Sequence, residues 1–241
     1  MNQHALIVRF AFLPAPYSHC QSFLKNRVDR MRIAIVGGNL TGLALAHFIL
    51  DSNESVDVMV IEERAEIGFP CISPGIIRDG AFWLPILEKW GFSELTFIQM
   101  LGDGSVSLRR AWLEKSLSLS LVTRGASILL RTRVVKEDGN TLFLHGAGGS
   151  ISWEGDHVVH VPEHEGGLQS WVGIVTSEET PTGWQRSDGS WESWQLTDSE
   201  EDTTSALEVI EIDISSFDAV TVDGALSRAE KLFSDLSSMV V

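Results

Sequence analysis

The order of apolar runs along the chain predicts an α/β protein. Residues 33–36 form a short, uninterrupted apolar run, which is typical of a strand buried in a parallel sheet. A glycine turn and a helical stretch follow, and residues 56–61 form a second apolar strand. Strand, helix and strand in this order predict a βαβ unit, whose two strands lie parallel in one sheet.

The rest of the pattern divides into a helical middle and a strand-rich final part. Glycines mark the ends of two helices, and Gly- or Asn-containing turns separate the strands. Residues 156–161 are expected to rejoin the parallel sheet. The predicted elements are a helix ending before Gly91, a helix at about 108–123 with Gly125 as its C-cap, strands at 127–135, 141–144, 150–153, 156–161 and 206–214, a hairpin turn at 187–189, and a closing amphipathic helix at 224–236.

Composition divides the chain into three parts. Residues 1–30 carry four Lys or Arg residues against one acid, in a chain that has 18 basic and 33 acidic residues in total. We interpret this segment as an extension upstream of a natural start at Met31; a targeting peptide is the alternative. We expect a nucleotide-binding domain at 31–163 and a reduced substrate or cap region with the closing helix at 164–241.

Charge and cysteine content exclude several classes of function. The net charge of −15 argues against nucleic acid or an anionic membrane as the main partner, because phosphate binding needs a basic surface. No apolar run reaches the roughly 18 residues that a transmembrane helix needs. Two cysteines, Cys20 and Cys71, do not make a disulfide framework. These features predict a soluble protein of the reducing cytoplasm.

The turn after the first strand carries a dinucleotide-binding fingerprint. Gly37 and Gly38 make a tight turn, and Gly42 lets the following helix pack against the sheet. The N-terminus of that helix would direct its N–H groups at a pyrophosphate. Glu62, 25 residues beyond Gly37, stands near the spacing at which a carboxylate accepts hydrogen bonds from an adenosine ribose. A carboxylate there repels a 2′-phosphate, which disfavours NADP.

Asn39 departs from the fingerprint, because it stands where the second glycine is expected. Asparagine tolerates left-handed backbone geometry better than most residues, so the turn is expected to survive. The alternative interpretation is an α/β domain whose glycines serve only a turn and whose Glu62 is an exposed strand end.

Four motifs in order resemble the FAD-dependent oxidoreductases of the aromatic-hydroxylase and geranylgeranyl-reductase superfamily. VGGNLTGLALA at 36–46 is similar to the family's VGGSIAGLALA, and EERAEIGFPCISPGI at 62–76 is similar to the segment that runs from the ribose-binding acid towards the flavin. The helix motif that begins at Arg110, with the Gly-Ala pair at 125–126, matches the family helix whose arginine lies near the FAD pyrophosphate. Val134 stands where the family's strand passes the adenine with its backbone.

This resemblance implies a Rossmann-like FAD/NAD(P)-binding domain with a parallel sheet and a β-meander, followed by a small β-rich C-terminal portion. FAD is the implied cofactor, and NAD(P)H is a candidate electron donor. The implied cofactor-binding residues are Gly37, Gly38, Asn39, Thr41, Gly42, Glu62, Glu63, Arg110 and Val134.

The flavin end of the family pattern is weaker in this chain. The family's Gly-Ala-Asp-Gly turn is replaced by His160-Val161-Pro162-Glu163. The nearest counterpart of its Gly-Asp motif is Phe217-Asp218-Ala219, followed by Gly224-Ala225-Leu226. The intervening segment is shorter than a substrate domain of the family. The AMP side of the site is therefore better supported than a complete flavin site.

No side chain is assigned a catalytic role, because a bound flavin would carry the redox chemistry itself. Cys71 invites a redox role, but the cysteine of the reductases aligns with Ser73, so a packed thiol is the default interpretation. His160 and His164 are four residues apart, yet Pro162 disfavours a helix there and no third ligand is indicated, so no metal site is predicted. The tryptophans of the final part either line an apolar pocket or form the core of a small sheet.

Two functions remain open at this point. The first is an FAD-dependent oxidoreductase, either a reductase of an apolar or isoprenoid substrate or a monooxygenase of a small aromatic, with flavin reduced by NAD(P)H or another donor. The second is a non-catalytic, nucleotide-binding relative that acts as a binding or interaction protein. The sequence also leaves open whether a partner chain completes the flavin site.

Overall fold

A four-stranded parallel sheet organises this computed structural model, which describes residues 30–92, 97–163, 166–197 and 205–239. The predicted N-terminal extension, except Arg30, lies outside these ranges. The strands are β1 (Arg32–Val36), β2 (Asp57–Ile61), β3 (Ile76–Ile77), β4 (Ile98–Met100), β5 (Val106–Leu108), β6 (Ser127–Leu129), β7 (Thr132–Asp138), β8 (Thr141–Gly146), β9 (Gly149–Glu154), β10 (His157–His160), β11 (Gly166–Thr176), β12 (Trp184–Gln185), β13 (Trp191–Leu196) and β14 (Glu208–Ile214). The helices are α1 (Leu40–Ser52), α2 (Gly80–Lys89), α3 (Arg110–Thr123), α4 (Phe217–Val220) and α5 (Val222–Met239).

The parallel sheet has the strand order β10-β1-β2-β6. β1 pairs in parallel with β2 on one side and with β10 on the other, which confirms that the strand predicted at 156–161 returns to this sheet. The order reverses at β1, and ligands of open α/β sheets bind in the crevice beside the carboxyl ends of the strands at such a point. The fold therefore places the predicted fingerprint at the usual ligand edge.

Helices cover one face of the parallel sheet and the β-meander covers the other. Buried side chains of α1, α3 and α5 share one apolar cluster with Ile33, Ile35 and Val60 of the sheet. On the opposite face, Ala34 and Met59 pack against Leu142, Leu144 and Trp153 of β8 and β9. The alternation of side chains along each strand thus fills two separate apolar layers.

Two predicted elements have different boundaries in the structure. The strand predicted at 127–135 is two strands, because the chain leaves the parallel sheet after Leu129 and enters the meander through Arg131, which has a φ of 51°. The helix predicted from about Leu108 begins at Arg110, because the Leu108 N–H donates to the Gly75 carbonyl and β5 pairs with β3 and β4.

The final part of the chain forms a second, antiparallel sheet with the order β12-β13-β11-β14. The predicted hairpin turn at 187–189 is confirmed, with Gly189 at a φ of 84°. β14 and α5 correspond to the predicted strand and closing helix. β11 was not predicted, because its glycines weaken the strand pattern; at Gly173 a Cβ would lie 2.5 Å from the Trp194 ring, so packing requires glycine there.

Glu192 links this second sheet to the loop at 62–75, which precedes β3. Its side chain is buried, and Oε1 accepts hydrogen bonds from the Gly75 N–H at 3.2 Å and from Trp194 Nε1 at 2.6 Å. Oε2 accepts from Arg186 Nε at 2.7 Å. A buried carboxylate is tolerated only when it is paired and hydrogen-bonded, and here all its partners are protein groups.

The burial of His47, on the inner side of α1, predicts how the stability of the protein depends on pH. The ring is fully buried, stacks on Trp90 at 4.9 Å, and lies 3.1 Å from the Leu117 carbonyl through Nε2 and 2.9 Å from Arg124 Nη1 through Nδ1. In this arrangement Nε2 donates and Nδ1 accepts, which requires the neutral imidazole. Burial lowers the pKa of His47 from 6.5 to about 4.

We expect stability to fall as the pH drops from 6.5 to 4, because the unfolded chain binds a proton at His47 before the folded chain does. The loss from this one group is up to about 3 kcal/mol. Urea unfolding at pH 7.5 and 4.5 should show a larger loss for the native chain than for His47→Gln, which does not titrate. Equal losses in both proteins would contradict this assignment.

Candidate nucleotide-binding site

Asn39 joins the start of α1 to the end of β10. Its Oδ1 accepts the Gly42 N–H at 3.0 Å, and its Nδ2 donates to the Val161 carbonyl at 2.9 Å. The backbone of Asn39 is extended, with a φ of −79° and a ψ of 175°. The turn forms as expected, but Asn39 does not use the left-handed geometry on which that expectation was based. Asn39 instead serves as the N-cap, for which asparagine is among the best residues.

The first turn of α1 presents unpaired donors at the carboxyl edge of the sheet. Within the described ranges, the N–H groups of Leu40 and Thr41 have no hydrogen-bond acceptor. Both residues are fully buried by their neighbours. Unpaired N–H groups and the positive end of the helix dipole together favour an anion such as a phosphate.

Gly37 and Gly38 are required by the protein's own packing. Gly37 has a φ of 127°, and a Cβ there would overlap the Val161 carbonyl. A Cβ on Gly38 would lie 2.7 Å from Ile67 Cδ1. At Gly42 a Cβ would overlap the Gly37 carbonyl, which confirms the predicted close approach of helix and turn. The glycines thus form the expected tight turn, and their presence alone does not require a nucleotide.

Glu62 is buried, with 6 % of its surface exposed, which excludes the alternative of an exposed strand end. Its Oε2 accepts the Gly38 N–H at 2.8 Å. Oε1 accepts the Arg64 N–H at 2.8 Å, and the Arg64 guanidinium bonds to both carboxylate oxygens at 3.0 and 3.1 Å. Burial by itself would raise the pKa of Glu62, but the bonds from Arg64 and Gly38 outweigh it and hold the pKa below its ordinary value.

A second carboxylate, Glu163, stands beside the same guanidinium. Glu163 Oε2 lies 3.3 Å from Arg64 Nη2. Burial raises the pKa of Glu163, and the neighbouring Glu114 carboxylate raises it further, against the opposing charges of Arg64 and Arg110. Neither Arg64 nor Glu163 was assigned a role from the sequence. The replacement of the expected glycine-containing turn by Pro162-Glu163 was the available signal.

Arg110 lies near this cluster but is held by the protein. Its side chain is buried, with Nε 3.0 Å from Glu114 Oε1 and Nη1 2.6 Å from the Val220 carbonyl. α3 places it at the edge where the resemblance expects a pyrophosphate contact, and its charge acts on Glu163. Two of its three guanidinium nitrogens are thus already hydrogen-bonded.

The other three predicted contact residues have different environments. The Thr41 hydroxyl donates to the Ala225 carbonyl at 3.2 Å and accepts from Arg228 at 2.8 Å, so only its backbone faces the turn. Glu63 is exposed. Val134 packs on the meander side of the sheet, two residues after Thr132, whose N–H donates to the Glu62 carbonyl. Their roles as cofactor contacts stay predictions.

An aromatic cluster lies between the second sheet and α4. Phe217 stacks on Trp171 at 5.1 Å and has Trp184 and Trp194 at 6.5 and 6.1 Å. Ile72, from the loop after the fingerprint, packs against the same cluster. The indole N–H groups of Trp171 and Trp184, and the hydroxyl of Ser73, are buried without a hydrogen-bond partner in the described part of the chain.

The sequence also drew attention to Cys71 and to the pair His160 and His164. Burial raises the pKa of Cys71 to about 12, and its Sγ lies 3.6 Å from the Ser73 carbonyl. His160 pairs with Glu137 at 2.7 Å, whereas His164 lies outside the described residues. No group of three potential metal ligands occurs within the described residues.

None of the helices in the described ranges combines the length and the hydropathy of a membrane span.

Comparison with known proteins identifies the fold. No protein-family profile and no curated protein sequence matches the chain. Among solved structures, aklavinone-11 hydroxylase in complex with FAD and aklavinone superposes with a TM-score of 0.60 at 12% identity, over 87% of this chain and 62% of that one. The p-nitrophenol 4-monooxygenase of Pseudomonas putida gives a TM-score of 0.63 at 12% identity, over 88% and 80%. An aromatic hydroxylase of angucycline biosynthesis gives 0.54 at 15%, over 87% and 63%.

The chain has the fold of the FAD-dependent aromatic hydroxylases. This confirms the predicted α/β class, with its Rossmann-like parallel sheet, β-meander and β-rich C-terminal portion. The chain spans 62% of the length of aklavinone-11 hydroxylase. The predicted domain boundary at 163/164 stays a prediction.

Removal of the Asn39 side chain is expected to destabilise the fold. Asn39→Ala loses the cap on Gly42 and leaves the Val161 carbonyl without its side-chain donor, for a combined cost of about 1–2 kcal/mol. Asn53→Ala is the matched control and should cost less, because the Asn53 side chain accepts hydrogen bonds from Ser55 at an exposed turn. Chemical denaturation measures both. Equal costs would argue against the bridging role of Asn39.

The Cys71 thiol is expected to be unreactive in the folded protein. A pKa of about 12 leaves almost no thiolate at pH 7.5, and the thiolate is the nucleophile. In a Cys20→Ala background, Ellman's reagent should therefore label Cys71 slowly in buffer and rapidly in denaturant. Rapid labelling of the folded chain would restore the redox interpretation of this residue.

Proposed function

We propose that this chain binds FAD at the carboxyl edge of the parallel sheet and acts as a flavin-dependent oxidoreductase. One observation carries the proposal: the unpaired N–H groups at the start of α1 lie in the same turn as Gly38, whose own N–H binds the buried Glu62 carboxylate. Donors for a pyrophosphate and an acceptor for a ribose are thus fixed on either side of one turn. This combination fits the ADP half of FAD.

Each element of the edge has a role in this proposal. The Leu40 and Thr41 N–H groups bind pyrophosphate oxygens, and Glu62 accepts hydrogen bonds from the ribose. The backbone at Val134 runs beside the adenine, and Arg110 adds positive charge near the pyrophosphate. Asn39 keeps its side chain on Gly42 and Val161 and therefore does not use the Leu40 and Thr41 N–H groups.

The aromatic cluster is the proposed position of the flavin ring. Trp171, Trp184 and Ser73 carry buried donors without partners in the described residues, and the carbonyl oxygens of a flavin ring are acceptors. A bound flavin would supply the electron transfer. The surrounding indoles exclude water and offer an apolar surface to an aromatic or isoprenoid substrate. The proposed reaction class is reduction of the flavin by NAD(P)H or another donor, followed by one of two outcomes. Either a hydride passes to the substrate, or dioxygen is consumed, with one oxygen atom entering the substrate and the other leaving as water.

A specific observation favours a second function, that of a non-catalytic nucleotide-binding relative. Arg110 is already bonded to Glu114 and to Val220, and Phe217 is enclosed by three tryptophans. Both arrangements fill, with protein groups, parts of the edge that a complete flavin cofactor would use. A chain of this kind would bind ADP or a related nucleotide and transmit that binding to a partner protein.

The absorbance spectrum of the purified protein separates the two functions. Excess FAD is added, free FAD is removed, and the visible flavin bands are recorded before and after anaerobic addition of NADH or NADPH. Retained bands that bleach on reduction support the oxidoreductase. A folded, colourless protein that binds ADP would overturn the oxidoreductase in favour of the binding protein.

Glu62→Gln tests the ADP half directly. Loss of the carboxylate charge is expected to weaken FAD and ADP binding about tenfold, because hydrogen bonds to charged groups are worth about 1.5–3 kcal/mol. Glu66→Gln removes the same charge from an exposed side chain that pairs with Lys115, and should leave binding unchanged. FMN, which lacks the AMP part of FAD and carries a single phosphate, should bind weakly to all three proteins. Calorimetry measures these affinities; tighter binding of FMN than of ADP would contradict this placement.

A further inference from the structure

We propose that Arg64 competes with the ribose of the nucleotide for Glu62, and that its guanidinium must move onto Glu163 before the ribose can bind. This inference rests on the proposed function, since it concerns the same site. It makes Arg64 a residue that sets both affinity and selectivity for the sugar.

The first step of the argument is the capacity of the Glu62 carboxylate. An ionised carboxylate offers about four acceptor positions. Four donors already fill them: the Gly38 N–H, the Arg64 N–H, Arg64 Nε and Arg64 Nη2. The bidentate guanidinium pair is the strong form of such contacts. A ribose hydroxyl therefore has to displace a donor to reach the carboxylate.

The guanidinium is the donor that can be displaced. The Gly38 N–H belongs to the turn between β1 and α1, whose backbone is fixed by the Gly37 N–H bond to the Ile61 carbonyl. The backbone of Arg64 is also fixed, because its carbonyl accepts the Arg131 N–H at 3.0 Å. Only the Arg64 side chain, which is partly exposed, is free to rotate away from Glu62.

Glu163 provides the second position for this side chain. Its Oε2 lies 3.3 Å from Arg64 Nη2, so the guanidinium already touches the carboxylate that would receive it. The charge of Arg64 stays paired throughout the movement, which avoids the large cost of a buried unpaired charge. Besides Arg64, the charged groups that act on Glu163 are Glu114, Arg110 and Glu62 itself. Glu114 and Arg110 are held by their mutual ion pair.

Arg64→Ala is expected to bind ADP about tenfold more tightly than the native chain, because the ribose no longer competes with a guanidinium. The gain should be smaller for 2′-deoxy-ADP, which lacks a hydroxyl that would use the freed carboxylate. Arg64→Lys cannot make the bidentate pair, so its ADP affinity should lie between those of the native chain and Arg64→Ala. Lys89→Ala, which removes one positive charge from an exposed ion pair with Asp51, is the matched control and should not change ADP affinity.

Glu163→Gln tests the movement itself. In the native background it should weaken ADP binding, since the displaced guanidinium loses its receiving carboxylate. In the Arg64→Ala background the same substitution should have no effect, because no guanidinium has to move. A structural role of Glu163 alone would give the same change in both backgrounds, which would overturn the proposal.

The remaining outcomes separate this inference from the proposed function. If the native chain binds ADP and the folded Arg64→Ala variant binds it equally or more weakly, Arg64 is not a competitor and the inference fails while the proposed function stands. If Arg64→Ala binds ADP and the native chain does not, the competition is confirmed, and the native guanidinium excludes the ribose completely. If no folded variant binds ADP or FAD, both the inference and the proposed function are overturned.

Discussion

The carboxyl edge of the sheet depends on the hydrogen bonds and the ion pair of the buried Glu62 carboxylate. Its side chain holds the Gly38 turn and the Arg64 guanidinium, while its backbone pairs with Leu129 of β6 and with Thr132 of β7. One residue thus connects the fingerprint turn, two strands of the parallel sheet and the start of the meander. Because a buried charge is costly unless it is fully paired, the position of Arg64 follows from that of Glu62.

At this edge, the two residues that depart from the expected pattern, Asn39 and Glu163, both make side-chain contacts with neighbouring elements. Asn39, in place of a glycine, reaches the Val161 carbonyl at the end of β10, and Glu163, in place of a glycine turn, pairs with Arg64. Side-chain contacts of Asn39 and Glu163 therefore connect this edge at the two positions where the expected pattern has glycines. The result is an edge at which many hydrogen-bond donors and acceptors are already engaged by protein groups.

The second sheet depends on a comparable buried acid. Glu192 links Gly75 of the loop after the fingerprint to Trp194 and Arg186 of the small sheet. Hydrogen bonds as well as packing therefore hold the aromatic cluster against this loop. With only four strands this sheet buries a modest core, and the polar attachment fixes its orientation.

The sequence determined the local elements and their order, because hydrophobic period, glycines and caps act within a few residues: β1, α1 and β2, the Gly125 cap and the hairpin at Gly189 all follow from it. Tertiary structure alone decided which charges meet. The break at Arg131, the pairing of Arg64 with Glu163 and the engagement of Arg110 by Val220 join residues distant in the chain, and no local pattern encodes such contacts. The βαβ unit and its glycine turn were therefore readable in advance, whereas the contact of Arg64 with Glu163 was not.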